Sequence, residues 1–79
     1  MNQLEVLRES LGQCDEIVLD ALLMRNRIVE DIMAYKEAND IPILQPEQEA
    51  KQREWLNRRM EGRRHKDEVT AVFEEITRN

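Results

Sequence analysis

The stretch "LEVLRESLGQCDEIVLDALLMRNRIVEDIMAYK" (Leu4–Lys36) decides the fold. Apolar or near-apolar residues recur in it at Leu4, Leu7, Leu11, Cys14, Val18, Ala21, Ile28, Ile32 and Tyr35. The spacing alternates three and four, which is the seam of a helix that packs on other helices. Arg25 is the one charged member of that seam. Asn2 followed by Glu5 is a variant of the capping box that opens a helix. No proline interrupts the run before Pro42, and Gly12 weakens the helix without ending it. Asn39, Asp40 and Pro42 are the stop signal. The reading is one helix from Asn2 to Ala38, ~55 Å long at ~1.5 Å per residue.

The rest of the chain is too short to cover such a rod. "NDIPILQ" (Asn39–Gln45) reads as a loop. Pro46 suits the first turn of a second helix, and Glu47 and Glu49 suit its positive end. That helix is expected to run to Glu61, with Gly62 as its C-cap. "RRHK" (Arg63–Lys66) is a turn, and Asp67 is expected to cap a third helix whose apolar face is Val69, Val72, Phe73 and Ile76. No internal repeat or low-complexity tract is present. The expected class is all-α, with one long and two shorter helices in a single domain spanning residues 1–79.

Composition points the same way. Charged residues make up 37% and aromatics 4%, with two Gly and two Pro, a profile of helical rather than β proteins. A core of 79 residues is marginal alone, so a homodimer is expected. The net charge of −5 argues against nucleic-acid binding as the main role. No apolar run is long enough to span a membrane, and the N-terminus does not read as a signal peptide. The single cysteine, Cys14, cannot form an internal disulfide. A reducing, cytoplasmic setting is expected.

Arg25 and Lys36 lie eleven residues apart. At ~100° and ~1.5 Å per residue they nearly share a face, roughly 16 Å apart along the axis. Long side chains reaching toward each other could hold one small dianion. Arg8 flanks the same seam but is about 25 Å from Arg25 by the same rise. It reaches that site only from a second copy packed antiparallel and crossing near residue 19 or 20. Each of two equivalent pockets then has three cations. In the same register the partner's Asp15 falls opposite Arg25, and an interchain salt bridge would explain the charge with no ligand. The two explanations stand side by side at this point. Glu49 is seven residues before Leu56, on the row of the second helix that faces inward, although a first-turn glutamate is commonly solvated.

Other polar features carry less. Arg58, Arg59, Arg63, Arg64 and Lys66 look like a nucleic-acid patch, but they surround a helix C-terminus, where cations are favourable anyway. His65 has no second ligand at metal spacing. Cys14, Trp55 and Met60 read as packing residues. No Gly-rich phosphate loop, Cys/His metal set or Ser/His/Asp constellation is visible, and no cofactor is expected.

These residues together resemble the all-helical (type II) chorismate mutases. The matching elements are "LRESLGQCD" (Leu7–Asp15), "LLMR" (Leu22–Arg25), Lys36, "IPI" (Ile41–Ile43) and "PEQE" (Pro46–Glu49), and "VFEEITR" (Val72–Arg78) is similar to the family's third helix. No single element is specific, but their order and spacing are. The resemblance implies an intertwined, antiparallel, domain-swapped homodimer of three-helix protomers with two active sites. It implies conversion of chorismate to prephenate, on the path to Phe and Tyr, without a cofactor. By this resemblance Arg8, from the partner chain, and Arg25 bind the substrate's two carboxylates. Lys36 contacts the ether oxygen and a carboxylate, and Glu49 accepts from the ring hydroxyl.

The implied reaction explains why such residues suffice. A unimolecular pericyclic shift needs no nucleophile or proton shuttle. It needs a flexible dianion held in a compact, chair-like shape, which two arginines can enforce. Negative charge develops on the ether oxygen as the C–O bond breaks, so a fixed lysine there favours the transition state over the ground state.

The sequence departs from the family at three places. The usual aspartate opening helix two is Gln45, a poorer N-cap by ~1 kcal/mol. The usual arginine before the glutamate is Gln48, which removes a positive charge among the substrate-binding positions. The family's Ser and then Gln near the end of helix three, the Gln being a second donor to the ether oxygen, fall beyond Asn79. The expectation is either a chain trimmed at that end or a weak relative, since losing such a donor costs on the order of 10²–10³ in rate. Two other functions fit the same pocket: a catalytically weak or inactive helical dimer with a binding or regulatory role, and an isochorismate pyruvate-lyase.

Overall fold

A computed structural model describes residues 2–43 and 45–78. Among them are three α-helices and no strand: α1 (Gln3–Ala38), α2 (Pro46–Met60) and α3 (Lys66–Thr77). The chain divides into two compact units, Met1–Ile43 and Leu44–Asn79.

The first unit is α1 and the chain that leaves it. Asn2 is the N-cap, extended at φ −84° and ψ 168°, and its Oδ1 accepts from the Glu5 N–H at 2.8 Å. This is the forward half of the capping box expected from the sequence. At the other end Asn39 is the C-cap, and its side-chain amide and backbone N–H both donate to the Tyr35 carbonyl, at 2.8 and 3.1 Å. Asp40 follows in the left-handed region at φ 54°. The Ile41 N–H then donates back to the Lys36 carbonyl at 2.9 Å, the long closing bond of a Schellman motif. Such a site favours glycine. Aspartate is among the few other residues that adopt it readily.

No described residue of α1 is buried. The seam residues Leu4, Leu7, Leu11, Val18, Ile28, Ile32 and Tyr35 are exposed, and so are Ile17, Leu19, Leu23, Met24 and Met33 off the seam. The apolar surface of α1 is therefore wider than the single stripe read from the heptad spacing.

The second unit packs α2 against α3. Leu56, at 7% exposure, is the only buried hydrophobic residue described. It shares a row of α2 with the half-buried Gln52 and Met60, and Trp55 meets Phe73 with ring centroids 5.8 Å apart. Aromatic pairs in this tilted geometry contribute about 0.5–1.5 kcal/mol beyond the area they bury.

Two helix ends differ from the sequence reading. α2 stops at Met60, with Glu61 as C-cap, and Gly62 is the left-handed residue after it at φ 72°. The Arg63 N–H closes that turn on the Met60 carbonyl at 3.0 Å. Asp67 does not cap α3. The helix already begins at Lys66, and the cap position belongs to His65 at φ 59°, with no side-chain cap bond. An N-cap side chain bonds forward from an extended residue, and the left-handed turn at His65 does not supply one. Asp67 instead lies in the first turn with Glu68, where a carboxylate is favourable against the helix dipole.

Candidate functional site

The residues singled out from the sequence fall into two sets. Arg8, Arg25 and Lys36 are carried by α1, and Gln45, Gln48 and Glu49 by the start of α2.

On α1, Arg25 and Lys36 are half-buried, while Arg8 is exposed. In an unbroken helix Arg25 and Lys36 stay on nearly one face, and Arg8 remains about 25 Å from Arg25 along the axis. One copy of α1 cannot bring all three cations to one point. Lys36 Nζ donates to the Ile43 carbonyl at 3.0 Å, so its ammonium is directed to the loop after α1. A shallow groove of about 700 Å³ lies there, lined by Met33, Lys36, Asp40, Pro42 and Ile43 among others. Asp15, the alternative partner for Arg25, is ten residues away on the same helix. At ~1.5 Å per residue that is about 15 Å of rise, too far for an ion pair within one copy.

In the second unit, Gln45 is the N-cap of α2 but makes no side-chain cap bond. Its carbonyl accepts from the Gln48 and Glu49 N–H groups at 3.0 and 3.3 Å. Pro46 occupies the first turn, as expected. Gln48 and Glu49 are exposed, and Glu49 borders a cavity of about 490 Å³ formed with Gln52, Arg53, Glu74 and Arg78. Glu49 thus belongs to the row of α2 that runs through Gln52 to Leu56 and faces α3, as its spacing to Leu56 indicates. Arg78 in the same cavity pairs with Glu75 at 3.2 Å, both side chains well exposed.

Sequence reasoning did not find the Ile43 carbonyl beside Lys36, nor Arg53 and Arg78 beside Glu49. A main-chain acceptor leaves no mark in the residue string. Arg53 had a signal, since it is four residues after Glu49, one turn further along the same face; Arg78, beyond α3, had none. Among the described residues no cluster of His, Cys, Asp or Glu could hold a metal ion. No helix described is long and apolar enough to cross a membrane.

The order of these elements is that of a known family. The family model for type II chorismate mutases matches residues 7–79, nearly the whole chain. No curated protein and no solved structure matches it. The match takes in every candidate site residue from Arg8 to Glu49, α1 from residue 7 onward, and all of α2 and α3. The chain belongs to the type II chorismate mutase family.

Proposed function

We propose that the protein is a chorismate mutase, converting chorismate to prephenate as a cytoplasmic homodimer on the route to Phe and Tyr. The observation that carries this reading is the pair of half-buried cations on α1, Arg25 and Lys36, in a chain of this family. A dianion that must be folded into a chair needs two separated cationic clamps. Arg25 is one, and the partner's Arg8 is the other. The exposed apolar surface of α1 supports the dimer, because a helix that shows its seam and its flanks to water needs more than one neighbouring helix to cover it. In this reading residues 1–79 form one intertwined domain with their partner, and an antiparallel second copy supplies the cover and Arg8 together.

The reaction is electronically self-contained. The ether C–O bond of chorismate breaks while a C–C bond forms across the same six-atom array, and no proton or electron enters or leaves. Catalysis is therefore positioning plus electrostatics. Arg25 and the partner's Arg8 hold the carboxylates, and Lys36 stabilises the charge growing on the ether oxygen. Glu49 accepts from the ring hydroxyl. Gln45 and Gln48 border the substrate as neutral amides where relatives of the usual pattern carry charge.

Gln48 favours a second reading, a weak mutase or a helical dimer kept for binding, because it removes a cation from a site built for a dianion. The same fold and cations would also admit isochorismate as the substrate of a pyruvate-lyase. Incubation with chorismate and with isochorismate separates the three. Prephenate formation supports the mutase, salicylate and pyruvate the lyase, and saturable binding of chorismate without product the binding protein.

A further inference from the structure

We propose that the chain leaving α1 is a positioning device for Lys36, in which the Ile43 carbonyl fixes the ammonium and Asp40 fixes the loop bearing that carbonyl. The proposal rests on the mutase reading of Lys36 and adds to it a main-chain group and a residue outside the substrate-binding set.

Lys36 is tied at both ends. Its carbonyl accepts from the Ile41 N–H at 2.9 Å, and its Nζ donates to the Ile43 carbonyl at 3.0 Å. Asp40, left-handed at φ 54°, lies within the turn that the first bond closes, and Pro42, whose ring fixes its own φ, separates Ile41 from Ile43. The loop is thus closed on one lysine through main chain and side chain together. A lysine that served only the helix end would reach the carbonyls of its own last turn. This one reaches a carbonyl seven residues on.

The identity of the acceptor matters. Glu37 and Asp40 border the same groove, yet Lys36 forms no ion pair with either among the described residues. A carboxylate partner would fix the ammonium and cancel its charge. A neutral carbonyl fixes it and leaves the charge for a dianion. An ammonium has three donors. With one held by Ile43, two remain, the number that the proposed contacts to the ether oxygen and a carboxylate require. A free lysine must give up rotamer freedom in the complex, whereas a tethered one has given it up on folding. Such a device acts on kcat, because it aims a donor at charge that grows in the transition state.

Asp40 is the point at which to test it, since valine does not tolerate the left-handed region and glycine does. Asp40→Val should lower kcat for chorismate about tenfold, by the sensitivity of rate to small displacements, and change KM little. Asp40→Gly, the conservative variant, should restore kcat. Heteronuclear NMR of the Lys36 ammonium should show a slowly exchanging signal in the parent and Asp40→Gly proteins that is lost in Asp40→Val. A semisynthetic chain with an ester in place of the amide after Ile43 weakens that carbonyl without altering a side chain, and it should repeat the loss if Asp40→Val does not fold. Unchanged kcat in a folded Asp40→Val or ester protein overturns the proposal. So does an ammonium signal that is the same in all of them. If the parent protein turns over no chorismate, the mutase reading fails, and the NMR comparison still decides whether the loop holds the lysine.

Discussion

Arg25→Met separates a ligand clamp from an architectural charge. Methionine nearly matches the length of the arginine stem, suits a seam position and removes only the guanidinium. If Arg25 holds a substrate carboxylate, the loss is that of charge-assisted hydrogen bonds, each worth about 1.5–3 kcal/mol. For a two-pronged contact, ~3 kcal/mol is a conservative total, and at ~1.36 kcal/mol per decade kcat/KM falls by at least about 10²-fold. Stability should hold or rise, because methionine suits the half-buried seam position and replacing a charge kept for function commonly relieves the packing around it. If Arg25 instead pairs with the partner's Asp15, methionine leaves that carboxylate unpaired. A well-buried pair broken on one side costs ~3–5 kcal/mol.

The assays are chorismate turnover and urea unfolding at fixed protein concentration. Asp15→Asn is the control: it should be close to neutral under the clamp reading and as harmful as Arg25→Met under the pairing one. A marked loss of stability in Arg25→Met with turnover intact would show that the charge is architecture, and the clamp argument would be wrong.

Three other outcomes follow from the helices themselves. Sedimentation at micromolar concentration should give a dimer, and a compact folded monomer would remove both the swapped arrangement and the trans role of Arg8. Gln45→Asp should stabilise the protein by ~1 kcal/mol, since the present N-cap of α2 makes no side-chain bond; no change in the urea midpoint would mean that the cap position is not limiting. Thr70 Oγ1 is buried without a hydrogen-bond partner among the described residues, so Thr70→Val should stabilise by ~1 kcal/mol. A loss there instead would show that the hydroxyl has an acceptor in the folded protein.

Much of the fold was legible because it is written in local terms. The α1 boundaries, the Asn2 cap, the break near Asn39 and Pro46 in the first turn of α2 each depend on residues within a few positions of one another. The start of α3 was misplaced for a local reason as well. Asp67 is a good cap in the abstract, but the chain turns earlier, at His65, through a left-handed conformation that remains uncommon for any residue but glycine. The candidate site was legible in part. Arg25 stood out as a charge in an apolar seam, and Lys36 by its spacing from it. The Ile43 carbonyl was invisible, because a backbone acceptor is present at every residue and the residue string does not say which one Lys36 meets. The breadth of the apolar surface on α1 was also underread, since a heptad count selects one stripe and passes over Leu19, Leu23 and Met33.

That breadth connects stability to catalysis. A chain whose described residues bury only Leu56 outright has little core with which to offset the entropy of ordering three helices. The apolar area that could offset it lies along α1, exposed until another helix covers it. In the proposed swapped arrangement the covering helix would also carry Arg8 to the pocket, because one straight α1 cannot bring its own Arg8 back over about 25 Å. Folding, association and assembly of the cationic pocket are then one equilibrium. Every contact that tightens the dimer adds to the fraction of complete sites, and dilution removes fold and activity together. Under the clamp reading a seam built of leucine alone would be more stable and would have no site, and the apolar breadth of α1 is what would offset the charge of Arg25.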